Sequence, residues 1–418
     1  MLKLLKNAEI KKRLLFTLLV IAIFRLLAHI PVPGVDTNTI RAYLEQSRIL
    51  GILDLFSGGA FRNFSIVTLG VGPYINASII IQLLTMMVPS LEELQKEGEY
   101  GREKLNMYTK FLTLPLAFVQ AYGMYFLLSR QQQVLNFTDF FGIALFIFTL
   151  IGGTMLLTWI GDLIAEYGLG NGVSIIIFVG IISRLPTGAL RFVYGFSPEQ
   201  SLSSLFFLIL SLLIILGVVL VNEGTRNLPI EYGRRGNRST KVTNFLPIKI
   251  NQVGVIPIIF AVSLVSVPSM VSGPLQASGN AFLQQIGDFL LLNFNRNSLL
   301  YNLFYFLLVF GFTYFYTSVQ FDPEKIADDI KKRGGFIPGI RPGKSTARHI
   351  SGIVTRLTFW GASFLGLIAI LPFLLGNTLG MQGMTLGGTG VLIVVSTVLD
   401  TIRQVDSLQV SQDYSSYL

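Results

Sequence analysis

Ten apolar runs recur along the chain, each bounded by charged, polar or glycine-rich sequence. They cover residues 14–30, 73–88, 109–128, 140–160 and 172–185, then 202–221, 252–271, 299–319, 353–374 and 385–402. A hydrocarbon core about 30 Å thick takes about 20 apolar residues as a helix, and several of the runs reach that length. A water-soluble core does not need such repetition. With 51% hydrophobic and 13% charged residues, and a mean hydropathy of +0.62, the chain reads as an all-α polytopic membrane protein. The second and fifth runs are short and flanked by glycine at their N-terminal ends, a pattern that points toward the functional axis of a helical membrane protein.

The first run has the basic flank of a signal peptide in Lys11, Lys12 and Arg13. It is followed by Ile30-Pro31-Val32-Pro33-Gly34 rather than by a small-residue cleavage site, so it is expected to be retained as the first span. The formal charge of +9 is explained by distribution. With the N-terminus inside, 24 of the 32 Lys and Arg residues fall on the cytoplasmic side and seven outside, with Arg25 within the first span. That asymmetry is the positive-inside signal and places both termini in the cytoplasm. Arg25 is best read as structural, its head snorkelling or held by carbonyls.

The chemistry of most enzyme classes is missing. The chain has no cysteine, hence no disulfide or thiolate chemistry, and its two histidines, His29 and His349, form no metal-ligand motif. Neither H-E-x-x-H nor G-x-S-x-G occurs. The segment 339–345, Gly-Ile-Arg-Pro-Gly-Lys-Ser, is a poor phosphate loop: Pro338 stands where the first glycine is required, and Pro342 removes a backbone donor. An ion-coupled transporter would suit broken helices, but it needs a charged or cation-coordinating group at mid-membrane, and Asp139, Asp162, Glu166 and Asp400 lie near span ends. No cofactor is expected.

The most irregular stretch is 51–88, GILDLFSGGAFRNFSIVTLGVGPYINASIIIQLLTMMV. It is too apolar for a surface loop and too interrupted for a simple span. Gly58-Gly59 breaks it, Gly70 and Gly72 form a joint, and Pro73 suits the first turn of a new helix. The expectation is a half-helix, a glycine joint and a full helix, enclosed by protein because broken backbone is not tolerated against lipid. In the full helix Ser78, Gln82 and Thr85 form one polar stripe, which serves ordinary interhelical bonding or lines a water path or an opening seam.

Two cytoplasmic loops, 222–251 and 320–352, are longer than orientation requires. The first has β-leaning segments around a basic tip and suggests a hairpin. The second is expected to start with a short helix at Pro323 that stops at Gly334-Gly335. Both fit either solvated loops or a docking surface for a large acidic partner.

Five stretches carry a family resemblance: LFSGGAFRNFSIVTLGVGPYINASIIIQLLT, GLGNGVSIIIFVGI, NQVGVIPIIFA, FIPGIRPGKSTA and GGTGVLIVVSTVLDTIRQV. In order and over nearly the whole chain, they resemble the SecY-type protein-conducting channel of the Sec translocon. The resemblance implies ten transmembrane helices in two inverted pseudo-symmetric five-helix halves, 1–185 and 186–418, around an hourglass pore. It implies a passive channel that conducts unfolded secretory proteins and releases membrane segments laterally into lipid.

By matching motif positions, the pore ring is Val71, Ile75, Val173, Ile177, Ile259 and Ile393. The plug, at about 52–64, includes Leu53, Leu55, Phe56, Ser57, Gly58, Gly59, Phe61 and Phe64. The lateral gate, spans two and three against seven and eight, would carry Gln82 and Asn251 as polar partners. Arg341, presented by Gly339, Pro342 and Gly343, would engage the SecA ATPase or a ribosome, with Arg226, Arg234 and Arg235 of the first loop as further contacts. That loop departs from the family pattern, with Asn227 where a second basic residue often follows Arg226. The resemblance also implies the small subunits SecE and SecG, signal peptides as ligands, and a bacterial cytoplasmic membrane, with the thylakoid membrane as the alternative.

Overall fold

The computed structural model describes residues 8–36, 60, 63–129, 139–183, 186, 201–232, 243–276, 278, 280–295, 298–379 and 388–415. Helices dominate them. They are α1 (Ala8–Leu27), α2 (Gly72–Met87), α3 (Pro89–Lys96), α4 (Glu99–Ser129), α5 (Phe140–Tyr167), α6 (Gly172–Ile182) and α7 (Ser201–Glu223). After the hairpin β1 (Thr225–Tyr232) and β2 (Thr243–Lys249) come α8 (Ile256–Gln276), α9 (Ala281–Asn293), α10 (Leu299–Gln320) and α11 (Pro323–Lys332). Strand β3 (Gly335–Phe336), α12 (Lys344–Leu379) and α13 (Gly388–Ser415) complete the chain.

Each of the ten predicted spans coincides with a helix, and three further helices, α3, α9 and α11, lie between them. Among the described residues four helical stretches are by themselves long and apolar enough to cross a membrane, and α2 with α3 makes a fifth if counted as one broken span. Those two helices meet at 102°. The cause is local: Val88 precedes Pro89, whose ring bars the α conformation there, and Val88 sits at φ −111°, ψ 109°.

The chain divides into two compact units, Met1–Phe196 with Val262–Tyr301 and Ile393–Leu418, and Ser197–Ala261 with Asn302–Leu392. In the first, α2 packs on α4, α4 on α5, and α5 on α6 and α1. Its core gathers Val32, Phe64, Leu69, Ala121, Met124, Phe146 and Leu150. The second holds a small sheet of order β2-β1-β3. The expected hairpin is there, antiparallel from Thr225↔Lys249 to Glu231↔Thr243, and β3 adds Glu231↔Phe336. Leu228, Ile230 and Ile248 bury against Ile330 of α11 and Ile350 and Ile353 of α12.

Helix α11 starts and stops as its sequence dictates. The Asp322 carboxylate accepts from the backbone N–H groups of Glu324 (3.0 Å) and Lys325 (3.1 Å), and Pro323 fills the first turn. Gly334 follows its end at φ +72°.

Candidate functional site

The chain from Asn63 to Val71 is held from both sides. Val32 N–H donates to Phe64 O (2.9 Å) and Ile66 N–H to Ile30 O (2.9 Å), a short antiparallel bridge between the exit of α1 and the entry to α2. Phe64 is fully buried and stacks on Phe146 at 5.9 Å between ring centroids. Leu53, Leu55, Phe56, Ser57, Gly58, Gly59 and Phe61 lie outside the described residues. Phe64 itself corrects the expected half-helix ending there. It sits at φ +41°, outside the helical region, because its carbonyl is committed to Val32 and its ring to the core.

A tight crossing fixes this segment against α5. A Cβ placed on Gly153 would stand 1.8 Å from Ile66 O, so only glycine lets the helix come this close. The entry to α6 works the same way: a Cβ on Gly172 would stand 1.8 Å from Gly161 O of α5. The neighbours of Gly172 have different duties. Gly170 takes φ +83°, and the Asn171 side chain caps α6 by accepting from Ser174 N–H (3.1 Å). The Gly170 N–H is held by Gln404 Oε1 of α13.

These entries position the ring candidates. Val71 caps α2, and its carbonyl accepts from Ile75 N–H (3.0 Å), so the two side chains start on one face of the helix. Val173 and Ile177 share α6, Ile259 lies in α8 and Ile393 in α13. Val71, Ile75, Ile177, Ile259 and Ile393 are buried; Val173 is half-buried, and its Cγ2 lies toward Gly161.

The gate candidates have local partners. Gln82 Nε2 donates to Ser78 Oγ (3.4 Å), and Thr85 Oγ1 to Gln82 O (2.7 Å), so the stripe on α2 is bonded along its own helix. Buried Asn251 donates to Asn222 Oδ1 (2.6 Å) and accepts from Gly254 N–H (3.1 Å), bracing the hairpin's exit against the end of α7. Sequence reasoning did not single out Asn222, nor a second pair. Ser263 of α8 donates its hydroxyl to Asn76 Oδ1 of α2, which joins the helices of spans two and seven. Isolated polar residues in apolar runs were the available signal; which ones pair depends on packing.

On the β3–α12 loop, Arg341, Gly339 and Pro342 are exposed and Gly343 is half-exposed. Gly339 and Gly343 take φ +79° and +102°, and Thr346 Oγ1 donates to Arg341 O (3.0 Å), which fixes the turn. Arg226 is exposed on β1 opposite Ile248; Arg234 and Arg235 lie outside the described residues. Lys110 and Asp162 pair at 2.6 Å between α4 and α5, with the Tyr74 hydroxyl donating to Asn106 nearby (3.2 Å).

Comparison with known proteins agrees with this layout. The SecY family model matches residues 65–402. The protein translocase subunit SecY of Corynebacterium glutamicum is 40% identical over 443 residues, 99% of this chain and 98% of its own length. That of Thermus thermophilus is 42% identical over 435 residues, 99% and 96%. Among solved structures, a protein-conducting channel superposes with a TM-score of 0.67 at 20% identity, covering 97% of this chain and 94% of its own. A SecY structure concerned with the plug domain and the closed channel gives 0.66 at 22% identity, over the same shares. Fold, motif order and full-length similarity therefore agree that the chain is a multi-pass membrane protein belonging to the SecY family.

Proposed function

We propose that the chain is the channel subunit of a protein translocase, with a lateral gate along the seam between α2 and α8. The supporting observation is the Ser263–Asn76 hydrogen bond. Ser263 is 5% exposed, so its hydroxyl bonds across the seam in apolar surroundings. Interhelical polar bonds in membranes contribute on average about 0.6 kcal/mol and at most about 1.7 kcal/mol. A seam joined this weakly closes the channel at rest and yields when an entering apolar helix offers packing of its own.

In this reading Val71, Ile75, Val173, Ile177, Ile259 and Ile393 form the constriction. An apolar ring blocks ions by dewetting and makes no specific bond to a passing chain, while non-directional dispersion contacts let it seal around varied side chains. Residues 53–59 with Phe61 form the plug, hinged at the anchored Phe64. Gln82 and Asn251 are polar positions of the gate, and the halves 1–185 and 186–418 are the inverted repeats.

The channel is passive. Arg341, held out on its turn by Gly339, Pro342 and Gly343, receives the SecA ATPase or a ribosome, with Arg226, Arg234 and Arg235 beside it. A related structure is Sec61 in a canine ribosome–channel complex, which supports docking of a ribosome on this fold. SecE and SecG complete the complex. In this reading both termini face the cytoplasm, which the basic asymmetry of the loops supports, and the channel lies in a bacterial cytoplasmic membrane.

The test uses the absence of cysteine. In proteoliposomes supplied with the partner ATPase, the double variant Asn76→Cys/Ser263→Cys is expected to stop translocating when its thiols are joined by a short cleavable cross-linker, and to recover on cleavage. Full cross-linking with unimpaired translocation would rule out a gate at this seam.

A further inference from the structure

Helix α9 lies between α8 and α10 in the chain and is too short to span a hydrocarbon core. It spans Ala281–Asn293, and its N-terminus is capped by Asn280, whose Oδ1 accepts from Phe282 N–H (3.0 Å). Thirteen residues of helix are about 20 Å long. Only residues 277–280 and 294–298 join it to its neighbours, a reach of at most about 18 Å each. If α8 and α10 are spans, α9 is confined to the membrane surface at their shared end.

One face of α9 is seated on α8. Gly287 is buried, and a Cβ there would meet Gln276 N at 2.8 Å and Ser272 O at 3.0 Å. Gln276 Nε2 donates to Asp288 Oδ1 (2.8 Å), so the one charged residue of the helix is bonded to the end of α8. The free surface has two halves. Gln284 and Asp288 lie on one, with Leu291 (41%) at its edge; on the other, Phe282 (68%), Phe289 (56%) and Leu292 (72%) are widely exposed. At about 100° per residue these three fall within roughly 80° of arc, with Gln285 the one polar residue among them.

Such a stripe is costly beside water. The flanking helices leave the same kind of surface bare, with Val267 and Val271 on α8 and Leu299 on α10, the surface a spanning helix turns to lipid. Continuity with that surface, confinement between two spans and the lack of any charge on the stripe identify lipid as its partner. We propose that α9 is an interfacial anchor. It lies in the membrane plane at the face opposite the basic loops, with Phe282, Phe289 and Leu292 sunk among headgroups and upper acyl chains. Through Gly287 and Asp288 it holds the end of α8, the helix that carries Ser263, so the lipid interface restrains the gate. The inference rests on reading α8 and α10 as spans.

Single-cysteine variants of this cysteine-free chain test it directly. Phe289→Cys, Phe282→Cys, Gln284→Cys and Val267→Cys would carry a nitroxide in phosphatidylethanolamine–phosphatidylglycerol vesicles, with oxygen and a water-soluble nickel chelate as relaxing agents. Labels at 289 and 282 are expected to favour oxygen, at shallower depth than 267, while the label at 284 favours the chelate. Two results would overturn the anchor: labels at 289 and 282 as open to the chelate as that at 284, or shielded from both agents, which would mean a protein partner covers the stripe. A chelate-accessible label at 267 would overturn the span reading itself. For the restraint, a label at Val271→Cys is expected to become more mobile when Phe289→Ser and Leu292→Ser are added. An unchanged spectrum would leave α9 as an anchor without influence on α8.

Discussion

Two adjacent glycines on α5 allow a controlled perturbation of the segment that leads into α2. A Cβ on Gly152 meets nothing within 4 Å, whereas one on Gly153 stands 1.8 Å from Ile66 O. Real Cβ contacts begin near 3.0 Å, so Gly153→Ala must open the gap by at least 1.2 Å. The displaced strand is the one whose Ile66 N–H bonds Ile30 and whose Phe64 O bonds Val32, both at 2.9 Å. A shift of that size breaks at least one of them. Overpacking costs about 1–3 kcal/mol, and an orphaned buried backbone group about 1–3 kcal/mol. Alanine's better helix propensity returns about 1 kcal/mol. The net for Gly153→Ala is about 1–5 kcal/mol of destabilisation, by the same three terms. Gly152→Ala keeps only the propensity term and is stabilised by up to about 1 kcal/mol. Thermal unfolding of the detergent-solubilised protein, followed by size-exclusion chromatography, reads the difference. Equal midpoints for the two variants would refute the close crossing of α5 and the 64–67 segment.

Gly172→Ala forces α6 off Gly161 in the same way and displaces Val173 and Ile177; an ion leak above wild type in planar bilayers is expected, and an unchanged one would count against the proposed ring at these two residues. Asn251→Leu removes the donor to Asn222 Oδ1 and the acceptor of the Gly254 N–H and should lower the unfolding midpoint, at a cost of about 1–3 kcal/mol. Gln82→Leu removes the bond to Ser78 on the same helix and is expected to alter signal-sequence stringency; unchanged export of substrates with defective signals would count against a gate role. Arg341→Ala should abolish partner-driven translocation at an unchanged unfolding midpoint, because the side chain is exposed and Thr346 bonds its backbone; normal translocation would remove the residue from the docking site.

The spans were legible because bilayer-length apolar runs carry their own signal, and glycine and proline punctuate them at Gly70, Pro73 and Gly170. The hairpin and α11 were legible from strand-like runs around a basic tip and from Asp322-Pro323. Less visible was what lies beyond the hydrocarbon. Helix α4 begins at Glu99 and α12 at Lys344, nine or ten residues before the apolar runs, since charged residues sustain a helix without raising hydropathy. Helix α9 was missed because thirteen residues are too few to read as a span. Phe64 was placed in a helix because nothing local announces a bridge to Val32, which depends on contacts over 30 residues apart. The Ser263–Asn76 bond had the same obstacle: each residue was visible, their meeting was not.

A plugged aqueous pore is the centre of this account, and single-channel conductance in planar bilayers tests it most directly. The deletion should remove residues 53–59 and stop short of Phe64, whose ring belongs to the core. The account predicts a silent wild type and a deletion variant with frequent large-conductance openings. Silence from both, with the variant folded and inserted normally, would contradict it.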